Sequence, residues 1–478
     1  MLLRPALLLP LFFGLAAPLC PAGQEESAGQ SAPEIAASAR GATITFKELD
    51  RLLLDRYAGS EDGRAALGHL VQSKLLGRLE QESGMRVTAE EVDTRWREAD
   101  EQLKNTGSSQ GIEAEIKKTG LTHEEFRRYL RLSIVHERLT RRALGLDDDA
   151  VVTREQQVMW LDQVVLERGC AELATAWTEP TSRPANEVIV AECADVRVTL
   201  AEFLPHLRRA LSPEDLRKAC YQLLLDKRMT ARMPDLKPAT VTAAVQAEID
   251  RRRTEAESDP RHQGVPFESL LSAQGIHPSS LPRDPVIRVT ALSKLWVERS
   301  FDEESLREIY ANERDFFDGT YGEAVELGLI FLRAVRFPND LIELSFEDAE
   351  RKLDELRGQI RTFNEFQRIA QRQSEAPGAR EDKGVLGYVT RLDERVPEIL
   401  RAAAFDALAE RTALDPPASE RLVGPLRVTT GCVLLWLGDR RGAPPWERMI
   451  GHVKTELRRR FIDDEVLTEA SVVTWMDK

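Results

Sequence analysis

The stretch EFQRIAQRQSEAPG, residues 365–378, decides how this chain is read. Its first nine residues have apolar side chains at helical spacing, and the Ser-Glu-Ala-Pro-Gly that follows reads as a turn, because neither proline nor glycine extends a helix well. On its N-terminal side, VELGLIFL (325–332) has the make-up of a buried strand, and SFEDAERKLDELRGQI (345–360) opens with a capping-box signature and continues as an amphipathic helix. On its C-terminal side, GYV (387–389) is expected to add a central strand, RVPEILRAAAFDAL (395–408) a helix, and TGCVLLWL (430–437) a closing strand. Strand, helices and strands in that order predict an α+β domain with a small sheet over residues 320–440. Residues 441–478 then supply a long helix beginning at Trp446 and a β-prone tail, ASVVTW.

Working outward, the chain ahead of this domain repeats itself. ATITFKELDRLLLDRY (42–57) matches VRVTLAEFLPHLRRAL (196–211): a short alternating strand, Thr45 or Thr199 as helix cap, then apolar residues at helical spacing. LVQSKLL (70–76) matches LLLDKRM (223–229), and KKTGLTHEEFRRYL (117–130) matches SAQGIHPSSLPRDP (272–285), in the same order and at nearly the same interval of about 153 positions. Two copies of one helical module follow, residues 33–165 and 186–315, joined by the Pro, Ser and Thr-rich TEPTSRPANE (178–187). Capping boxes are expected at Thr45 with Glu48, Thr88 with Glu91 and Thr122 with Glu125. The predicted fold class is mainly α with an α+β domain: two tandem helical modules, a small sheet-and-helix domain and a C-terminal docking helix. That helix and its tail are expected to dock on the helical modules, since a β-prone tail needs a partner.

Arg4 precedes the apolar run ALLLPLFFGLAAPL, and charge returns only at Glu25. The run is too short and too proline-broken to span a bilayer, so residues 1–22 read as a cleaved secretory signal. A lipid anchor on Cys20 is the lesser alternative, since Leu19 stands where a small residue is wanted. Nothing later in the sequence is apolar for long enough to cross a membrane, so an exported, periplasmic protein is expected. A net charge of −14 argues against a nucleic-acid partner. Cys170, Cys193, Cys220 and Cys432 show no metal-ligand spacing, so no metal site is expected, and no cofactor. Export permits a disulfide, and Cys193 with Cys220 is the pair inside one predicted module.

Residues 365–378 resemble the phrase FAELAKEYSEDPG of parvulin-type peptidyl-prolyl isomerases, keeping Phe366, Ala370, Ser374, Glu375, Pro377 and Gly378. KGVLGY (383–388) resembles GGDLGW, VPEILRAAAFDAL resembles VPEFEEAAFAL with one residue inserted, and GPLRVTTGCVLLWL (424–437) resembles GPVRTPFGYHIIKV. Nearly the whole mature chain thereby resembles the SurA, PrsA and PpiD group of extracytoplasmic chaperones, with the SurA-N-like helical unit doubled. The resemblance implies a site of two histidines, a Cys or Asp and an apolar proline pocket around the twisting amide. Here Leu329 and Val433 occupy the histidine positions, Ala376 the acid position, and Val385 replaces a loop aspartate. All seven histidines lie outside residues 320–440. No catalytic residue is therefore assigned; Leu386, Val396, Ile399 and Phe405 are the expected substrate-binding residues, at or beside the positions that line the pocket in the family.

The expected function is an exported chaperone that binds unfolded or nascent exported polypeptides. No G-x-x-x-x-G-K-[ST] phosphate loop is present, so it works without ATP. Two alternatives stay open. One is a working isomerase with an atypical site, for which Glu375, Glu381 and Asp382 could supply a carboxylate. The other is a structural envelope protein that reuses the scaffold.

Overall fold

Threonine caps set the register of the helices. Thr45, Thr122, Thr153 and Thr199 each accept a hydrogen bond from a backbone amide three residues on, and the Glu or Gln at that position accepts one back from the cap amide. Thr88 and Glu91 form the same pair, at 2.8 and 3.3 Å. Each box satisfies donors that a helix start leaves open. The computed structural model describes residues 35–465 and 473–474, apart from 40, 106–110, 120, 174–182, 195, 263, 337–342 and 411–416. The expected signal segment, Cys20 and the first part of the linker lie outside them. The chain is mainly helical with small antiparallel sheets, and it divides into two compact units, one formed by residues up to 295 with those from 464 onward, the other by 296–463.

In the first unit, strands β1 (Ile35–Ala39) and β2 (Ala42–Thr45) lead into α1 (Phe46–Tyr57), α2 (Glu61–Ser83), α3 (Ala89–Asn105), α4 (Ile112–Thr119), α5 (His123–Ala143) and α6 (Arg154–Glu167). After the two-residue β3 (Ala171–Glu172), β4 (Ile189–Cys193) and β5 (Val196–Thr199) lead into α7 (Leu200–Ala210), α8 (Pro213–Ala231), α9 (Pro238–Ser258), α10 (Phe267–Ala273) and α11 (Pro285–Ser300). One core joins both halves, from Ala36, Leu49, Leu53 and Leu75 to Val190, Phe203, Leu207 and Leu224. The expected Cys193–Cys220 pairing is wrong: Cys193 is bonded to Cys170, and Cys220 is a buried free thiol. The reason is register. β3 runs antiparallel to β4 with Ala171 opposite Glu192, which carries Cys170 to Cys193.

In the second unit, α12 (Glu303–Asn312) and α13 (Arg314–Tyr321) precede β6 (Ala324–Arg333), α14 (Phe346–Gln359), α15 (Phe363–Gln373), β7 (Val385–Thr390), α16 (Glu398–Glu410), β8 (Leu422–Val428) and β9 (Gly431–Arg441). The sheet is antiparallel in the order β7-β6-β9-β8. GYV therefore lies on an edge strand and not in the centre. β6 and β9 are apolar on both faces and take the centre, as two-sided burial requires. Alternate side chains divide between the faces: Ile330, Leu332, Cys432, Leu434 and Trp436 pack on α14 and α15, while Val325, Leu327, Val433, Leu435 and Leu437 pack on α16. The C-terminal helix α17 (Trp446–Glu465) sets Met449, Val453 and Leu457 against Val297, Leu306 and Phe317. Its tail forms β10 (Val473–Thr474), which in the first unit pairs antiparallel with β1.

Candidate functional site

The site is assembled on the α16 face of the sheet. Leu329 and Phe331 project from β6, Leu386 from β7, Val423, Leu426 and Val428 from β8, and Val433 from β9, all around the core of Val396, Leu400, Ala404 and Phe405. Register places Val433 between Phe331 on one side and Leu426 on the other. The two positions that would carry imidazoles, Leu329 and Val433, thus share one surface, and that surface is apolar throughout.

The turn at residues 374–378 is held by the backbone of β6. The Ser374 hydroxyl accepts the Phe331 amide at 3.1 Å, the Glu375 amide donates to the Phe331 carbonyl at 2.8 Å, and the Leu329 amide donates to the Gly384 carbonyl at 2.7 Å. Gly384 has φ +73°, and a Cβ there would lie 2.6 Å from the Ala370 methyl and 2.7 Å from the Leu329 carbonyl oxygen. Only glycine fits such a position without strain. Ser374 and Gly384 are therefore frame residues, and Ala376 sits half-buried between them where the acid would stand.

The carboxylates available to an atypical site are differently employed or placed. Glu375 accepts the Arg333 amide at 2.5 Å, so its charge closes the end of β6. Glu381 and Asp382 are exposed in the loop. Cys432 points to the opposite face, fully buried, with its thiol 3.7 Å from the Phe346 carbonyl; burial pushes its pKa up, which disfavours the nucleophilic thiolate. Among the expected substrate-binding residues, Leu386 is half-buried on the apolar surface, whereas Val396 and Phe405 are core residues. The guanidinium of Arg391 stands 4.4 Å over the Phe405 ring. Ile399 is 53% exposed and stands apart from this cluster. Phe331 and Leu426 were not singled out from the sequence. Alternation from Leu329 along β6 is the signal that reaches Phe331, whereas Leu426 needs the β8–β9 register.

Chemically, the side chains of this cluster offer van der Waals contact, and among the described residues none of them is an imidazole or a carboxyl that could assist an amide whose rotational barrier is ~18–20 kcal/mol. The cluster suits an apolar segment better than a charged one.

The family model for the rotamase, or PPIC-type PPIase, domain matches residues 336–420. No curated protein matches the chain. Among solved structures, the chain is similar to the peptidylprolyl isomerase PrsA of Bacillus anthracis, with 12% identity over 52% of this chain and 93% of that one and a TM-score of 0.27. It is also similar to a structure reported for PEB4 and the periplasmic protein Cj1289, two SurA-like chaperones of Campylobacter jejuni, with 14% identity over 55% and 85% of the chains and a TM-score of 0.22. An isolated PpiC-type isomerase domain matches at 24% identity over 26% of this chain and 97% of that domain, with a TM-score of 0.19. The sheet, its loop frame and the matched residues identify the chain as a carrier of a PpiC-type parvulin domain.

Proposed function

We propose that this protein is an exported, ATP-independent folding chaperone of the parvulin-containing class that holds unfolded polypeptides, with a parvulin domain that has lost its isomerase chemistry. The observation that carries this reading is the contrast within one site: Ser374 and Gly384 keep the loop in place, while Leu329, Ala376 and Val433 present only carbon. Replacing a buried polar cluster with aliphatic groups removes its desolvation cost and leaves an apolar groove. In this reading residues 33–165 and 186–315 are the two helical modules that cradle the client, residues 320–440 the parvulin-like domain, and 441–478 the docking helix and tail. Export by a signal over residues 1–22 belongs to the same reading, and no helix among the described residues is long and apolar enough to cross a membrane. Clients bind apolar surface, with Leu386 and its neighbours Leu329, Phe331 and Leu426 as contacts in the parvulin-like domain.

The test pairs two assays on the purified chain. Aggregation of a chemically unfolded client should be suppressed at near-stoichiometric chaperone, while cis-trans exchange of a proline tetrapeptide should hardly accelerate, because polar assistance worth ~10² to 10⁴ in rate is missing. Parvulin-like turnover that Asp382→Asn or Glu381→Gln abolishes would establish the atypical isomerase instead. Failure to suppress aggregation would leave a structural envelope protein.

A further inference from the structure

The first unit contains two three-stranded sheets built to one plan. In β1–β2, Ile35 faces Thr45, Ala37 faces Ile44 and Ala39 faces Ala42; in β4–β5, Ile189 faces Thr199, Ala191 faces Val198 and Cys193 faces Val196, with a bulge at the same place. Each sheet is completed by a short outer strand, the second one from the segment just before it in sequence and the first one from the far C-terminal end of the chain. β3 lies on β4 with Glu172 opposite Ala191, and β10 lies on β1 with Thr474 opposite Ala37. The two outer strands differ in how they are held. β3 is fastened by the Cys170–Cys193 bond, whereas Ala39 stands in β1 where Cys193 stands in β4.

We infer that the outer edge of β1 is a strand-acceptor site, held closed by the protein's own β10, which takes an extended segment of an unfolded polypeptide in β10's place. This rests on the chaperone reading for the identity of the partner. Three features suit the edge to that exchange. The described ladder of β10 uses Ala37 and Ser38 of the five residues of β1, so an extended segment pairing along the whole strand forms more main-chain hydrogen bonds than Val473 and Thr474 do. The side chains of β1 from Ala36 to Ala39 are all Ala or Ser, which sets no size limit on the residues opposite, so recognition falls to the backbone and tolerates varied sequence. Ile35, 54% exposed at the head of the strand, adds an apolar contact. The displaced tail stays tethered, because Glu465, at the end of α17, is buried and ion-paired to Arg228 of α8 and to Arg232 just after it. A tethered competitor sends a weakly paired segment away and yields to a longer one.

The test fastens β10 as β3 is fastened. The full chain carrying Ser38→Cys and Val473→Cys, a pair that face each other across the ladder, is oxidised and compared with each single variant under the same conditions. Client binding should fall about tenfold or more in the locked chain, since the edge can no longer exchange. In the unlocked chain, hydrogen exchange should show client binding freeing the amides of residues 473–474 while Ala36–Ala39 stay protected. A locked chain that holds client as well as the single variants, or tail amides that stay protected with client bound, overturns the inference. A synthetic peptide of residues 468–475, added in excess to the unlocked chain, separates the two readings. If it frees the tail amides in a protein that holds no client, the acceptor edge stands and the chaperone reading falls; if it leaves them protected, the edge is no acceptor.

Discussion

Gly384 is the residue on which the parvulin frame turns, and the cost of replacing it is set by two terms that act together. A side chain would be strained at φ +73°, and its Cβ would overlap the Leu329 carbonyl oxygen and the Ala370 methyl. Gly384→Ala should therefore cost about 1–3 kcal/mol in urea unfolding. Ser374→Ala should cost about as much, because it leaves the Phe331 amide without its acceptor. Ala376→Asp, half-buried on the same loop, should stay within about 0.5 kcal/mol. Equal losses at Ala376 and Gly384 would mean that the apolar character of the loop, and not its path, has been kept. The match that sets Leu329, Val433 and Ala376 against the family's histidine and acid positions was legible in the sequence, where Phe366, Ser374, Pro377 and Gly378 carry the resemblance. The employment of Glu375 was not, since a carboxylate that closes a strand looks in sequence like one that faces solvent. Ile399 lies exposed and apart from the apolar cluster, a placement its position in VPEILRAAAFDAL does not foretell, since only the packed helix tells which helical positions face the sheet.

Helix α9 places a carboxylate where it has no access to water. The Glu248 side chain is 0% exposed and is met by Arg251 at 2.7 Å, Arg252 at 2.9 Å and Lys294 at 2.5 Å. Burial alone would raise its pKa, and the three cations outweigh burial and lower it. A lowered folded pKa gives stability that is complete above the unfolded value of about 4.3 and is lost as pH falls through the folded one. Glu248→Gln should remove about 3–5 kcal/mol near neutral pH, since it strands three cations around a neutral group. The loss should shrink as the pH is lowered below the ordinary glutamate range. A variant as stable as the parent at pH 7 would show that the cluster is solvated in solution. The helices and their caps could be read from sequence because a capping box is a local signal with fixed spacing. The outer strand β3 could not, because two residues have no periodicity, and with it went the partner of Cys193; the tail that carries β10 reads as β-prone, but its sequence does not say that β1 is the edge it takes. The edge position of GYV escaped for want of pairing information, although its weaker burial, compared with the doubly apolar β6 and β9, is the property that sends it outward.

At the scale of the molecule, the spacing from which two related segments were expected gave no hint that residues of one meet residues of the other. Lys74 of α2 donates to the Arg197 carbonyl at 2.7 Å and pairs with Glu202 at 2.5 Å; Lys227 of α8 donates to the Thr43 carbonyl and pairs with Glu48, both at 2.7 Å. Arg56, ending α1, meets Asp284 before α11, and Arg209, ending α7, meets Glu125 in the first turn of α5. The two lysine contacts, made at matching positions from each half to the other, are of the isologous kind, here between two halves of one chain. The same environment should give the same energy. Lys74→Ala and Lys227→Ala should each cost about 0.5–1.5 kcal/mol, given their partial exposure, and the double variant should equal their sum within about 0.5 kcal/mol. Acid titration sharpens the comparison. Glu48 and Glu202 both have lowered pKa values; burial opposes the shift, and Lys227 with Thr45, or Lys74 with Thr199, outweighs it. Each lysine therefore contributes stability that is full above the ordinary glutamate range and fades as pH falls through the lowered values. Both alanine variants should flatten the fall in stability on acidification, and to a similar degree. If one lysine proves costly and the other silent, the two halves are not equivalent in solution, and the match between their sheets is a likeness of fold without a shared interface.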